Sequence, residues 1–468
     1  MACVAMGVFL ATIDGSIVNV ALPTLQRELG ANFALIEWVV LAYLLTIVTL
    51  VLSVGRLADI VGKKPLILAG FVIFTIGSFL CGISTSVEML IAMRIFQGLG
   101  AVLIMGLGAG IVTEAFPPEE RGKAMGVIGS SVSLGIVVGP VLGGLILGSF
   151  SWHWIFIVNV PLGIISIWMA QKFLIHTPRK QPQKFHTAGA VFLFFGLLFF
   201  LLAQTLGQHR GFLDPWSIGL FAGFVVFSFL FLVSIRRAEF PLIHPAIFKS
   251  RALLTGIVSG FLTFICISGA VLLIPFYLEN LMHLDIRTVG FLMSVTPVCI
   301  GIIAPISGTI SDKIGHWKIV IPGQAIIALG FFTLSRLDLH SSIFLYLLLI
   351  LPVGIGMGIF QSPNNSAIMS SVSREFLGVA SGLLAISRTL GQTVGVALAG
   401  AMWASRVSSR SGEVIAAEAV KAPPEFQTAA LQDVFLAMSV LLLGSLLYII
   451  WNAWNAGAIK EPRIDRAG

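Results

Sequence analysis

Residues 55–64 read Gly-Arg-Leu-Ala-Asp-Ile-Val-Gly-Lys-Lys and form a short charged segment between two long apolar runs. The Gly, Asp and Gly of this segment recur 253 residues later at 308–317, which read Gly-Thr-Ile-Ser-Asp-Lys-Ile-Gly-His-Trp. A second segment, 135–144, recurs 256 residues later at 391–400 with five of ten positions identical. Two motifs repeated at nearly the same separation indicate two parallel halves of similar structure.

The composition excludes a soluble globular chain. Of the 468 residues, 57% are hydrophobic and only 10% are charged, with a mean hydropathy of +1.00, whereas soluble domains carry about 25% charged residues. The basic residues behind the net charge of +7 lie in short loops, as in membrane proteins, so no nucleic-acid partner is predicted. The four cysteines form no CxxC pair, and neither a disulfide framework, a metal site nor a cofactor is expected.

Fourteen apolar runs are long enough to cross a bilayer as helices, which predicts an all-α polytopic membrane protein. They cover residues 2–22, 35–57, 65–84, 88–112, 124–147, 154–174, 187–206, 217–235, 252–278, 289–309, 318–335, 341–361, 376–402 and 431–454. With both termini in the cytoplasm, 19 basic residues fall on the cytoplasmic side and 7 in outer loops, as the positive-inside rule requires. Reading 187–235 as one span changes this tally to 14 against 11, so two spans are favoured. The first run lacks a preceding basic region and is predicted to be a retained span.

The segment at 55–64 resembles the signature loop of the major facilitator superfamily. Its defined positions carry Gly55, Asp59, Gly62, Lys63 and Lys64. Residues 93–98 resemble the span-4 motif of the family, and residues 14–23 with 154–161 resemble its fourteen-span drug:proton antiporter branch. The resemblance implies the major facilitator fold, with an N-terminal six-helix bundle at 1–174, a linker with two extra membrane helices at 175–251, and a C-terminal six-helix bundle at 252–468.

Segment 135–144 resembles the antiporter motif of the same family. Its defined positions are Gly135, Gly139, Pro140, Gly143 and Gly144. The glycines at i, i+4 and i+8 form a stripe along which a neighbouring helix can approach closely, and Pro140 permits a bend. A gating role and ordinary helix packing are the two interpretations of this stripe.

Asp14 is the most informative single residue, because it lies about 12 residues, or roughly 18 Å, into the first span. A carboxyl at that depth needs a proton, a partner or water, and such residues mark functional sites. Arg94 in span 4 lies at a similar depth, within reach of Asp14. We expect the two residues to couple transport to protons; the alternative is a static ion pair that only fixes spans 1 and 4.

We expect the loop at 55–64 to close the cytoplasmic side in one state. Asp59 would accept hydrogen bonds from a helix N-terminus of the other half, while Lys63 and Lys64 would pair with Glu114 or Glu119. Asp312 is the counterpart of Asp59 in the second repeat. The alternative interpretation is a tight loop with solvated charges.

Residues predicted to line a substrate cavity are aromatic, amide or basic, and each could instead be a packing residue. They are Trp38, Tyr43, Gln97, Phe276, Tyr277, Phe360, Gln361, Asn364, Asn365 and Arg388. Arg388 could face an anionic substrate group, meet Asp14 across the cavity or cap carbonyls. Asp14, Arg94 and Arg388 are the three charges predicted inside the membrane, with Glu279 expected at a solvated outer helix end.

The chain lacks the features of pumps and enzymes. Gly62-Lys63 and Gly122-Lys123 are not followed by Ser or Thr, so no P-loop is predicted, and no catalytic cluster occurs. We expect a monomeric, proton-coupled secondary transporter in a bacterial cytoplasmic membrane that exports lipophilic or cationic drug-like compounds by alternating access. Its predicted partners are a small-molecule substrate, protons and the bilayer. The alternative is a dedicated exporter or facilitator of one solute, such as a lipid, an antibiotic or a metabolite.

Overall fold

A computed structural model describes residues 1–115, 121–174, 187–211, 214–237, 250–372, 377–412 and 416–455. Within these ranges the chain is helical and has no strand, as expected where backbone groups must be paired within the segment in hydrocarbon. The helices are α1 (Ala2–Glu28), α2 (Phe33–Val61), α3 (Lys63–Gly82), α4 (Val87–Ala115), α5 (Arg121–Leu147), α6 (Trp154–Ile157), α7 (Asn159–Phe173), α8 (Thr187–Arg210), α9 (Pro215–Arg237), α10 (Arg251–Phe276), α11 (Ile286–Ile314), α12 (Trp317–Leu334), α13 (Ile343–Ser370), α14 (Leu377–Ser411) and α15 (Pro424–Asn455). A π-helical turn, Tyr277–Leu281, follows α10, and a 3-10 turn, Ala416–Lys421, precedes α15.

Each of the fourteen predicted spans falls on a helix, with α6 and α7 together forming the sixth. Among the described residues, eleven helices are long and apolar enough to cross a membrane by length and composition. Shorter apolar segments lie in α2, α5 and α8, at Leu35–Val51, Leu134–Leu147 and Val191–Gln204. The sequence therefore locates the helices, and eleven of those described are candidate membrane spans.

The helix ends differ from the predicted spans at the C-terminal side of the chain. Both α13 and α14 continue nine residues past their predicted ends, and α15 begins seven residues early. The apolar run reports the membrane-embedded length of a helix, and a helix can continue through polar residues beyond it.

The glycines at the end of the two repeated loops explain why the motif recurs. Gly62 and Gly315 have φ of +97° and +98°, a region that glycine adopts without a steric penalty. In both copies the glycine N–H bonds a carbonyl four residues back, Ala58 O or Ser311 O, at 2.9 Å. The repeated glycine therefore ends one helix and turns the chain into the next.

The chain divides into two compact units by internal packing. The first comprises Met1–His244, Ile267–Ser294 and Gln392–Leu431, and the second comprises Pro245–Cys266, Val295–Gly391 and Gln432–Gly468. In the first unit α1 packs on α5, α2 and α3 pack on α4, and α8 packs on α9; in the second, α12 packs on α13. The organisation into two six-helix bundles and a hairpin stays a prediction.

Candidate functional site

Asp14 lies in a buried polar cluster between α1, α4 and α7. Its Oδ2 accepts a hydrogen bond from Arg94 Nη1 at 2.6 Å, and its Oδ1 accepts from Gln97 Nε2 at 2.8 Å and from Asn159 Nδ2 at 2.9 Å. The exposed fraction is 0% for Asp14 and 1% for Arg94. Three donors thus converge on two carboxylate oxygens, which suits the ionised form of the side chain.

Arg94 connects this cluster to α2. Its Nε donates to the carbonyl of Val39 at 3.0 Å, and its guanidinium lies 4.1 Å from the centre of the Tyr43 ring. The Tyr43 hydroxyl in turn donates to the carbonyl of Ala11 on α1 at 3.2 Å. Arg94 of α4 therefore links α1 and α2 through its buried guanidinium.

Gln97 is the centre of the hydrogen-bond network. Its Oε1 accepts from Arg94 Nη1 at 2.6 Å, and its Nε2 donates to Ser78 Oγ on α3 at 2.8 Å as well as to Asp14. Arg94 and Gln97 are three residues apart on α4 and lie on the same helix face.

Asn159 is the first residue of α7, after the interruption at Val158 between α6 and α7, and this break brings its amide to Asp14. The buried Oδ1 of Asn159 has no hydrogen-bond partner within the described part of the chain.

The glycine stripe of α5 packs directly on α1, the helix that carries Asp14. A Cβ at Gly135 would lie 2.9 Å from Thr12 Cβ, and one at Gly139 would overlap the hydroxyl of Ser16. Ser16 Oγ donates to the carbonyl of Gly135 at 2.9 Å. On another side of α5, a Cβ at Gly144 would lie 2.8 Å from the carbonyl oxygen of Ile286 on α11. The motif thus holds α5 in contact with both α1 and α11.

We call the end where α1 stops and α2 starts the outer end, following the predicted topology. There Arg27 forms an ion pair with Glu279 in the π-helical turn. Arg287 Nη2 at the start of α11 donates to Gly148 O at 2.8 Å and to Ser149 Oγ at 2.9 Å. Residues of both sequence repeats are therefore in contact at the outer end.

The basic residues of the 55–64 segment hold backbone carbonyls. Lys63 Nζ donates to Gly110 O at 2.9 Å, while Lys64 Nζ donates to Gln171 O at 3.1 Å and also to Leu174 O. The side chains of Asp59 and Glu114, and all of Glu119, lie outside the described residues, so the predicted latch stays a prediction. Asp312 is exposed at the end of α11.

The predicted substrate residues separate into buried and partly exposed ones. Tyr43 and Gln97 belong to the Asp14 cluster, while Phe276, Tyr277, Phe360 and Asn364 are buried among helices. Phe276, for example, packs edge-on against Phe33 with ring centres 5.0 Å apart. Trp38, Gln361, Asn365 and Arg388 are half-buried, and within the described part of the chain Arg388 forms no ion pair or hydrogen bond.

The second unit has a neutral polar cluster between α10, α12 and α13. Thr263 Oγ1 donates to Gln324 Oε1 at 3.0 Å, and Asn364 Nδ2 donates to Gly256 O at 3.0 Å. Asn364 therefore fixes helix packing rather than facing an open space. No three His, Cys, Asp or Glu side chains in the described ranges are grouped so as to hold a metal ion.

The expectation that Glu279 is solvated is wrong, and a further carboxyl, Glu37, is also buried. Glu279 is 8% exposed rather than solvated, and Glu37 on α2 is 1% exposed. Both residues lie near helix ends, where sequence alone does not distinguish a solvated terminus from one covered by another helix. For Glu37 a signal existed, because it stands one turn inside an apolar helix without a basic residue nearby in sequence.

The chain is similar in sequence to known membrane transporters. The sequence profile of the Major Facilitator Superfamily matches residues 4–396. The riboflavin transporter RibZ of Clostridioides difficile is 34% identical over 459 residues, 96% of each chain. The multidrug transporter protein MdtP of Bacillus subtilis is 31% identical over 411 residues, 88% of this chain and 75% of the relative.

The fold is also that of solved transporters. A bacterial homologue of the human lysosomal transporter Spinster aligns with a TM-score of 0.72 over 99% of this chain and 98% of its own, at 13% identity. A POT family transporter in complex with 5-aminolevulinic acid aligns with a TM-score of 0.70 over 96% of both chains, at 15% identity. At these identities the likeness shows the fold alone.

Proposed function

The chain belongs to the Major Facilitator Superfamily, and is thus a membrane transporter of small molecules and not an enzyme; on this premise we propose that it couples export of lipophilic or cationic drug-like compounds to proton entry. The single observation that carries the proposal is the fully buried Asp14–Arg94 ion pair. Ionisable residues inside a membrane are costly and mark substrate or proton pathways.

The geometry suggests how a proton would be gained and lost. Asp14 has no exposed surface here, so α1 must separate from α4 or α7 before water can reach it. Exposure to one side of the membrane at a time would let the carboxyl take up a proton outside and release it inside. A potential of 100 mV contributes about 2.3 kcal/mol per charge moved, enough for nearly two decades of substrate gradient.

We propose two six-helix bundles, residues 1–174 and 252–468, joined by a linker with two extra helices at 175–251, which places the chain in the fourteen-span drug:proton antiporter branch. The repeat separation of 253–256 residues supports the paired bundles, because parallel repeats rocking about a central site give alternating access. Basic residues concentrated in alternate loops support cytoplasmic termini. The bacterial relatives support a cytoplasmic membrane location, and we propose a monomer.

We expect the substrate to contact the half-buried members of the predicted set. They are Trp38, Gln361, Asn365 and Arg388. Aromatic faces bind flat or cationic groups. Export rather than uptake is supported by the antiporter motif and by relatives named as multidrug transporters.

A second candidate is a dedicated transporter of one flat polar solute. The riboflavin transporter supports this second candidate, because its alignment with this chain covers 96% of both chains. The alignment with MdtP covers only 75% of MdtP. Arg388, a half-buried cation without a partner in the described residues, would bind a polar or anionic group of such a solute.

Reconstituted vesicles with an imposed pH gradient test both candidates. Tetraphenylphosphonium and riboflavin serve as probes, and an internal pH dye records proton movement. The proposal expects gradient-driven flux of the cation accompanied by counterflow of protons, with both lost in Asp14→Asn. Asp285→Asn is the matched control, since Asp285 is exposed and its cap to Arg287 N can be kept by asparagine.

The outcomes separate the candidates. Mutual competition among unrelated lipophilic cations supports the multidrug transporter, whereas flux of riboflavin that no cation inhibits supports the dedicated transporter. Flux that ignores the gradient in wild type, or gradient-driven flux that persists in a folded Asp14→Asn variant, would remove Asp14 from proton coupling.

A further inference from the structure

Glu37 is a buried carboxyl that the Asp14 cluster does not use. It lies four residues after the start of α2 and is 1% exposed. Among the residues that the structure describes, its buried Oε1 has no hydrogen-bond partner. The carboxyl group packs directly on the backbone of Gly400 in α14, where an added Cβ would lie 2.6 Å from Glu37 Cδ and would overlap Oε1.

The charged groups around Glu37 are engaged elsewhere or do not reach it. The elements that pack around α2 carry Asp14, Arg27 and Glu28 on α1, Glu88 and Arg94 on α4, Glu279 after α10, Arg406 and Arg410 on α14, and Lys421 in the 3-10 turn. The α8 helix also packs on α2 and ends at Arg210, which is exposed. Arg94 pairs with Asp14, and Arg27 pairs with Glu279. Across the described ranges none of these residues forms an ion pair or hydrogen bond with Glu37. A carboxylate in this position would have neither a counter-charge nor water, so the neutral acid is the form that the closed packing accommodates.

The internal repeat shows that this contact is a departure from symmetry. Gly144 and Gly400 are equivalent, 256 residues apart, and Glu37 and Gly290 are 253 residues apart, the separation of the two signature loops. At the α5–α11 contact a Cβ at Gly144 would lie 3.1 Å from the Cα of Gly290. Where one repeat brings glycine against glycine, the other places a carboxyl against glycine. A small neutral residue would have sufficed for packing alone.

We propose that Glu37 is a second proton-binding site of the transporter, and that its protonation from the external solution closes the outer end by allowing α2 to pack on Gly400 of α14. When the outer end is open, Glu37 is solvated and ionised, and it accepts a proton from external water. The neutral side chain then enters the contact with Gly400. When the contact opens, the carboxyl returns to external water, which takes the proton back at high external pH. The ionised carboxylate then cannot re-enter the contact with Gly400, and the outer end stays open.

The structure also connects this site to Asp14. Arg94, which pairs with Asp14, donates from Nε to the carbonyl of Val39, two residues after Glu37 on the same helix. A displacement of the first turns of α2 would therefore also move the acceptor of an Arg94 hydrogen bond. The inference rests on the proposed alternating-access cycle, but not on Asp14 being a proton carrier.

Distance measurements at the outer end test the proposal. Spin labels at Glu28→Cys and Ser409→Cys, both exposed positions on α1 and α14, report the separation of the two helices in lipid nanodiscs. Cys299→Ser removes the half-buried native thiol from the background. In this parent the closed population should fall as the pH of the solution rises, with the open-to-closed ratio changing up to about tenfold per pH unit for one coupled proton.

Two variants distinguish a pH-dependent switch at Glu37 from a merely structural role of this residue. Glu37→Gln keeps the shape of the neutral acid, and should stay closed from acidic to alkaline pH. Gly400→Ala should shift the population towards the open state at every pH, because its Cβ occupies the space of the Glu37 carboxyl. Gly444→Ala is the matched control, since a Cβ at Gly444 meets nothing within 4 Å.

The result that overturns the proposal is a Glu37→Gln protein whose distance distribution has the same pH response as the parent. Asp14→Asn in the same background keeps the pH response of the outer end if Glu37 is the switch, even where it has lost gradient-driven flux. A failure of Asp14 as carrier and a failure of Glu37 as switch therefore give different results.

Discussion

At the scale of single residues, both carboxylate oxygens of Asp14 accept hydrogen bonds within the polar cluster. Three donors, from Arg94, Gln97 and Asn159, satisfy both oxygens of one carboxylate. A buried pair of this kind stabilises the fold little relative to an apolar pair, but breaking it leaves an uncompensated charge. The two halves of the ion pair are therefore expected to be strongly coupled.

The first prediction concerns this coupling. Asp14→Asn leaves Arg94 as a buried cation without a counter-charge and should destabilise the protein by about 3–5 kcal/mol. The double variant Asp14→Asn/Arg94→Gln removes both charges and should recover a large part of that loss. Thermal unfolding in detergent, followed by size-exclusion chromatography, measures the four members of the double-mutant cycle.

Transport by the double variant adds a readout that stability does not provide. A folded double variant that has lost proton-driven flux is the expected result, since the carrier is gone although the packing is restored. If the double variant is stable and still transports with the pH dependence of wild type, the pair is a static link between α1 and α4. Additive destabilisation by the two substitutions would contradict the coupling itself.

The sequence made some of these residues predictable and others not. Asp14 and Arg94 could be identified because each is a charge well inside an apolar run, at matched depth in antiparallel spans. Asn159 and Ser78 are ordinary polar residues in sequence, and only the approach of α3 and α7 gives them a partner. Glu37 was missed because its burial depends on α14, more than 360 residues away in the chain.

At the scale of helices, α5 links the carboxyl-bearing helix to the second repeat. Its glycines meet α1 along Gly135 and Gly139 and meet α11 at Gly144. The sequence predicted such a stripe from spacing alone, because small residues let helix backbones approach in a membrane. Spacing could not assign the stripe to α1 and Gly144 to α11, since both contacts are long-range.

The second prediction follows from this contact. Gly139→Ala should weaken the α1–α5 contact, because the new Cβ overlaps the Ser16 hydroxyl, and overpacking of this kind costs about 1–3 kcal/mol. Adding Ser16→Gly removes the clashing atoms and should restore part of the stability. Thermal unfolding and gradient-driven flux of the single and double variants check the result.

The control for this substitution is Gly219→Ala on α9, where a Cβ meets nothing within 4 Å. This change should leave unfolding and flux close to wild type. Equal loss in Gly139→Ala with and without Ser16→Gly would show that the glycine acts through something other than the contact with α1.

At the scale of the whole molecule, the outer end is where the two sequence repeats meet within the first compact unit. Arg27 with Glu279, Glu37 with Gly400, and Gly144 with Gly290 join residues from opposite halves of the chain. The repeat predicted two similar halves, but a sequence does not specify which residues of the two repeats come into contact. The structure shows these three contacts formed at the outer end.

The third prediction, and the last, uses the unequal burial of the Arg27–Glu279 pair to test this closure. The side chain of Glu279 is 6% exposed and that of Arg27 is 58% exposed. Arg27→Gln leaves a buried carboxylate without its cation, whereas Glu279→Gln leaves an arginine that water can solvate. Losing an exposed pair costs about 0.2–1 kcal/mol, while an unpaired buried charge costs several. Opening is measured in a Glu37→Gln parent, whose outer end should stay closed at alkaline pH. Its Ala404→Cys variant, at a buried position on α14, is labelled from outside with an impermeant maleimide. Arg27→Gln should be labelled several-fold faster than the parent, and both Glu279→Gln and the double variant should be labelled at nearly the parent rate. Equal acceleration by the two single variants would contradict the burial asymmetry and the role of this pair in closing the outer end.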